Sequence, residues 1–455
     1  MSRLLVLGGY VLTMDPALGD LPGADVLVED DRIAAVGRGL AAGLSGRVDE
    51  TIDAAGKVVI PGFVDTHRHT WETSIRGVAP DATLEDYFSR ILDTIAPRYR
   101  PEDVYAANLA GALECVNAGI TTLVDWSHIN NTPDHPDAAI AALRDSGIRA
   151  RYAYGHANLS FVDYRVDSRI AMPADDIRRV RDTYFPSDDG LLTMGLATRG
   201  PGFCRDEVVR AEWGLARELG LPITVHTAMG RRAGKFALVT RLHQLDLLGP
   251  DTTYVHACHL TPAEWRLVAD TGGQISLAPQ VEAQMGHGWP PAREAMAYGL
   301  APALSVDVVT TVPGDMFTQL RALFALERAR MHAAGWEEDT AVPAAAFTAR
   351  DLLTMATVNG AAVAGLADVV GTLSPGKQAD IVVVDTTAIN LAPLVDPVAA
   401  VVLGADVSNV DTVVIAGEVR KRDGRLVADT NRARRLVEAS RDFLLRGDEG
   451  DHHDG

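Results

Sequence analysis

Short apolar runs rich in Val, Ile, Leu and Ala alternate with longer stretches whose apolar positions recur every three or four residues. The first pattern marks buried strands and the second amphipathic helices. Strands are predicted at 62–66, 121–125, 150–154, 191–197, 222–226, 252–256, 274–278 and 303–307. Helical patterns lie between them, for example at 101–118, 137–146, 205–219, 262–271 and 292–298. Eight strands alternating with helices over ~300 residues predict an α/β fold, a (β/α)8 TIM-like barrel. An open doubly wound sheet is the rival, but no Gly-rich phosphate loop follows any of these strands.

Both ends of the chain read differently. Segments 4–14, 24–36 and 51–60 are strand-like and punctuated by Pro16, Gly19, Gly37 and Gly43. The same texture returns at 379–385, 399–403 and 410–419. A small β-sandwich domain built from both chain ends is therefore expected, with its first part at 1–61 and its second at 366–425. The barrel would occupy 62–365, and 426–455 would form a terminal helix, near 432–445, and a loose polar tail. The tail carries His452 and His453, a poor metal site without a scaffold.

Composition narrows the class. The 455 residues are 47% hydrophobic and 23% charged, ordinary for a globular enzyme. A formal net charge of −19 argues against nucleic acid and anionic membranes as partners and leaves a small-molecule substrate. No apolar run approaches the ~20 residues that cross a bilayer, and the N-terminus reads as a strand rather than a signal peptide. Three widely spaced cysteines, Cys115, Cys204 and Cys258, imply no disulfide framework and fit a reducing cytoplasm.

Candidate chemistry concentrates at strand ends. His67 and His69, two residues apart, point the same way from a strand and present two imidazoles to one metal ion. The strand at 222–226 ends in His226, that at 252–256 in His256 and that at 303–307 in Asp307. In a barrel these ends share the C-terminal face, where catalytic residues sit. A set of histidine and carboxylate ligands suits one divalent metal, zinc first and ferrous iron second. An open coordination position would bring the pKa of bound water toward neutrality.

These residues carry a family resemblance over nearly the whole chain. The runs Pro61-Gly62-Phe63-Val64-Asp65-Thr66-His67-Arg68-His69, Gly119-Ile120-Thr121-Thr122-Leu123-Val124-Asp125 and Gly371-Thr372-Leu373-Ser374-Pro375-Gly376-Lys377-Gln378-Ala379-Asp380 take part, with His226, His256 and Asp307. Together they resemble the amidohydrolase superfamily, in its cytosine-deaminase and triazine-hydrolase branch. The resemblance implies a mononuclear metal site of His67, His69, His226 and Asp307. It also implies that His256 lies beside the metal, and that the protein forms a homo-oligomer.

Three departures bear on the reaction. Deaminases of this branch carry a proton-relaying glutamate three residues past the fifth-strand histidine, where this chain has Met229. A thioether cannot relay a proton. Arg199 stands where the fourth strand usually ends in histidine, and the polar signature after the seventh strand is replaced by 278–288. Asp307, His256 and Glu282 are the candidate proton carriers, and His287 is a further one. Trp71, Trp126, His128, Arg199 and His287 are candidate substrate contacts, Arg199 as a carboxylate clamp. Trp71, Glu72, Tyr87 and Phe88 are candidates for a cover. The expected activity is hydrolysis of a C–N bond in a small cyclic or carboxylated molecule by metal-activated water. The alternatives are deamination or dechlorination of a heterocycle, a silent barrel, and a non-hydrolytic lyase or isomerase.

Overall fold

The computed structural model describes residues 2–44, 48–157, 167–230, 233–337, 341 and 346–446. Its centre is an eight-stranded parallel barrel. The strands are β1 (Phe63–Arg68), β2 (Ile120–Ser127), β3 (Arg149–Tyr154), β4 (Leu192–Thr198), β5 (Ile223–Thr227), β6 (Thr252–His256), β7 (Gln274–Leu277) and β8 (Ala303–Leu304). Each pairs with the next in sequence order. β1 and β2 are buried at every position, although they carry Asp65, Thr66, His67 and Arg68, and Thr121, Thr122, Asp125 and Ser127, so polar groups as well as apolar ones are held inside the barrel.

The barrel closes between β8 and β1 through a few backbone bonds. The Asp307 N–H donates to the His67 carbonyl at 3.0 Å, and the His69 N–H donates to the Asp307 carbonyl at 2.9 Å. β8 is shorter than the run at 303–307 suggests. Asp307 has a φ of +70° and so leaves the extended region.

The helices start where local chemistry directs. Pro262–Asp270 follows Thr261, whose hydroxyl accepts from the Glu264 N–H while the Glu264 carboxylate accepts from the Thr261 N–H. Pro101–Asn117 opens on a proline, whose missing N–H costs nothing in the first turn. A 22-residue helix, Met316–Glu337, follows β8 and has no counterpart in the sequence reading.

Nine strands from both chain ends make the second sheet. Val58–Pro61 meets Ile381–Val384 in antiparallel register, Ile60 opposite Val382, and this pairing joins the two ends. The apolar run at 399–403 is not a strand. It lies in the helical turns Pro397–Ala399 and Ala400–Gly404. Asp396 caps the start by accepting from the Val398 and Ala399 N–H groups, with Pro397 at the first helical position. Cap and proline together override the β-preference of Val401 and Val402. The C-terminal helix spans Thr430–Leu444, started by Asp429. The tail with His452 and His453 lies outside the described residues. Among the described residues no helix is long and apolar enough to cross a membrane.

Barrel and second sheet are locked by a buried ion pair. Arg149, opening β3, donates to both oxygens of Asp380, at 2.9 and 3.1 Å, and Asp380 Oδ1 also accepts from the Ala416 N–H at 2.9 Å. Both side chains are almost fully buried. Arg149→Met strands a buried carboxylate and is expected to lower unfolding stability by about 3–5 kcal/mol. The double variant Arg149→Met/Asp380→Leu should regain much of that loss. Chemical denaturation of both proteins checks the pair.

Candidate active site

Four strand ends converge at the C-terminal mouth of the barrel. Pairing between β1 and β2 slips between Asp65 and Arg68. The buried Arg68 guanidinium turns away to the Glu114 carboxylate and the Gly314 carbonyl, while His67 and His69 face the mouth with His226 and Asp307. His67 Nε2 lies 3.2 Å from Asp307 Oδ1 and 3.2 Å from His226 Nε2, and His69 Nε2 lies 3.3 Å from Asp307 Oδ1. The donor atoms of these four residues all fall within 4.8 Å of one another.

The set fits a divalent metal on geometry and on protonation. Four donors at ~2.0 Å around a tetrahedral ion stand about 3.3 Å apart, close to the 3.2, 3.2 and 3.3 Å separating His67 from Asp307, His67 from His226 and His69 from Asp307. Burial holds the imidazoles of His67, His69 and His226 below their ordinary pKa, and those of His69 and His226 well below it. They are therefore neutral, with lone pairs to offer. His69 Nδ1 lies 3.1 Å from the Trp126 carbonyl. A carbonyl only accepts, so Nδ1 carries the proton and Nε2 is the ligand atom. Burial pushes the Asp307 carboxyl up, but its hydrogen bond with His67 and the polar imidazoles around it outweigh burial, so the group stays an anion.

His256 stands beside this set without joining it. Its Nε2 is 3.7 Å from Asp307 Oδ2, and its Nδ1 is 3.3 Å from Glu282 Oε1. Glu282 Oε1 also accepts the Ala278 N–H at 2.8 Å. An oxygen already accepting a backbone N–H accepts again, so His256 carries its proton on Nδ1 and turns the Nε2 lone pair toward Asp307. Burial raises the Glu282 carboxyl, and His256 pulls it back. His256 and Asp307 both adopt left-handed backbone, φ +72° and +70°, a strain of about 1–3 kcal/mol each that clusters at functional sites.

A partly open cavity lies over these groups. Leu84, Tyr87, Phe88 and Leu92, from the segment after β1, form its apolar wall. His69, His226, His256 and Asp307 also line it. Met229 lines the cavity, so the third position past His226 lies inside the site and is apolar.

The other predicted residues divide into lining and support. His128, Arg199 and His287 line the cavity. His128 Nδ1 accepts the indole N–H of Trp71 at 3.3 Å. An indole N–H only donates, so the neutral ring of His128, pushed down to about 3 by burial, carries its proton on Nε2 as a fixed donor. His287 is 3% exposed and neither ring nitrogen has a hydrogen-bond partner. Arg199 donates to Ser168 Oγ at 3.1 Å and to the Ile170 carbonyl.

Trp71, Trp126 and Glu282 do not line the cavity. Trp71 holds His128, Glu282 holds His256, and Trp126 packs on His226 with ring centroids 4.0 Å apart. As bulky groups at strand ends they are drawn into the layer behind the imidazoles. Glu72 is also buried, its carboxyl raised well above the usual range by burial, and it accepts from the Tyr87 hydroxyl at 2.5 Å and from Thr310 Oγ1 at 3.2 Å. Burial likewise pushes the Cys258 thiol well up, which makes it a poor nucleophile. The sequence reading missed Leu84, Leu92, Phe203, Met285 and Val308 in the lining. Apolar side chains carry no chemical signature, and only the fold brings them together.

Known proteins share this architecture. The amidohydrolase family model matches residues 58–420. A 5-methylthioadenosine/S-adenosylhomocysteine deaminase of Moorella thermoacetica is 30% identical over 91% of this chain and 94% of its own length. A 5'-deoxyadenosine deaminase of Methanothermobacter thermautotrophicus is 27% identical over 96% of this chain and 98% of its own. Among solved structures, an atrazine chlorohydrolase from Arthrobacter aurescens complexed with zinc superposes with a TM-score of 0.83 at 25% identity, over 96% of this chain and all of that one. An adenosine deaminase from Xanthomonas campestris with bound zinc gives a TM-score of 0.84 at 24% identity, over 98% of this chain and 99% of that one. The chain belongs to the amidohydrolase family, hydrolases of carbon–nitrogen bonds.

Proposed function

We propose that this protein hydrolyses a ring or side-chain amide bond, at a planar carbon, in a small and largely apolar cyclic molecule. His67, His69, His226 and Asp307 would hold one zinc ion, the metal bound in the related chlorohydrolase. Such an ion supplies Lewis acidity and lowers the pKa of a coordinated water toward neutrality. Asp307 Oδ2 takes the proton released as water attacks. His256 Nε2, 3.7 Å from that oxygen, receives it and passes it to the leaving nitrogen, while Glu282 stabilises the transient imidazolium through Nδ1–H. His128 Nε2–H holds an acceptor atom of the substrate, and the buried guanidinium of Arg199 in the cavity wall suits a carboxylate. Tyr87 and Phe88 help exclude bulk water. Three cysteines without a disulfide support a cytoplasmic setting.

The observation that carries the choice is Met229 in the cavity wall. Amide cleavage needs one proton delivered to one leaving nitrogen, and His256 supplies it. Deamination of a heterocycle also needs a ring nitrogen protonated, the task of the glutamate that Met229 replaces. Deamination remains a second reading because the related proteins from Moorella and Methanothermobacter are deaminases.

Cyclic amides and aminated heterocycles offered to the zinc-loaded enzyme in oxygen-18 water separate the two. Ring opening or amide cleavage with one labelled oxygen in the product, and no ammonia from aminated rings, is the expected result. Rapid ammonia release from aminopurines, unaccompanied by amide cleavage, reverses the order. Met229→Glu should raise ammonia release without improving amide cleavage.

A further inference from the structure

A second, partly open space lies below the metal layer, toward the N-terminal end of the barrel. It is small, with room for a guest about the size of one water or one monatomic ion, and is lined by Thr66, Arg151, Gly195, Thr224 and Thr253 among others. Arg151 enters it from β3, two residues before Ala153, which packs with Val64, Val124 and Val255 in the barrel's inner core. A guanidinium inside a barrel needs an acceptor for each of its N–H groups and a counter-charge. Among the described residues Arg151, itself partly exposed, donates from Nη2 to the Ala364 carbonyl, and its buried Nε–H has no partner.

Among the described residues no carboxylate lines the space. The nearest acidic influence is Asp188, an exposed residue whose ion-pair partner is Arg181, at 3.2 Å. Burial accordingly pushes the Arg151 guanidinium down to about 10. The Thr224 hydroxyl, buried in the same wall, is also without a partner.

The surroundings make room for this arginine. A Cβ on Gly195 would stand 3.1 Å from Arg151 Cδ, and one on Gly365, at φ +67°, would stand 3.0 Å from Nη2. Two glycines thus flank a cation whose remaining donors face a space lined by hydroxyls. Donors converging from a fixed charge and from hydroxyls select an anion over a neutral guest or a cation.

We infer that this space is a binding site for a small monovalent anion of the chloride class, held by Arg151 Nε–H and the Thr224 hydroxyl. The anion completes the charge balance of the barrel floor. Thr224 lies two residues before His226 on the same face of β5, so the site sits about 7 Å below the metal layer. It touches neither substrate nor reacting atoms, and it stands independently of the reaction assigned above.

The full chain in buffer with gluconate as the only anion provides the test. Adding chloride or bromide should raise the melting temperature saturably, beyond the effect of gluconate at equal ionic strength. Arg151→Met should lose that halide-specific rise, and Thr224→Val should need more halide to reach it. Crystals of the unaltered protein soaked in bromide give a readout that no folding defect can confuse. An anomalous peak within hydrogen-bond distance of Arg151 Nε is expected. A plain water at that position in bromide, or an equal halide response in the unaltered and Arg151→Met proteins, overturns the assignment.

Discussion

An Asp307→Ala protein will hold substoichiometric metal and will turn over roughly 10²–10⁴-fold more slowly from the lost proton acceptor alone. Its carboxylate does two jobs in one position. Oδ1 lies 3.2 Å from His67 Nε2 and 3.3 Å from His69 Nε2, inside the ligand cluster, while Oδ2 points to His256. Asp307→Asn keeps the shape and removes the charge, so it should retain more ion than alanine and yet remain slow. Elemental analysis beside single-turnover rates separates the two losses. Full metal content and full turnover in both variants would remove Asp307 from the mechanism.

Glu282 gives the second large effect, and here the metal should stay. Glu282→Leu removes the oxygen that holds His256 Nδ1–H, so the imidazole is free to take the wrong tautomer. A drop of roughly 10²–10⁴-fold in kcat is expected. Glu282→Gln can keep an acceptor oxygen on the Ala278 N–H and lose only the charge, and its drop should be the smaller. If both variants keep the parent's kcat, His256 does not carry the proton. If both lose metal, Glu282 supports the ligand cluster rather than the relay.

The eight barrel strands were readable because short runs rich in β-branched and aromatic residues recur between helix-patterned stretches, even where, as in β1 and β2, polar residues are buried among them. The cluster of His67, His69, His226 and Asp307 was readable as a candidate because histidine at a strand end has a chemical signature and an expected face. Supporting residues were not. Trp71 and Trp126 read as lining because large rings at strand ends suit a flat substrate, yet their contacts turn them behind His128 and His226. Nothing local distinguishes a ring that touches substrate from one that holds a ligand. The segment at 399–403 misled for the opposite reason, since a cap and a proline outside the apolar run decided its conformation. Glu282 was visible as a carboxyl near the site, but its grip on His256 depends on a distance that sequence spacing does not encode.

The narrow join between the last and first barrel strands has one more implication. The amides and carbonyls that fasten it belong to His67, His69 and Asp307, whose side chains belong to the cluster proposed to hold the metal. An ion gripped there works as a clasp across the staves of the cask. Chelation therefore bears on architecture as well as on chemistry, and the apo protein is the one most prone to open along that join.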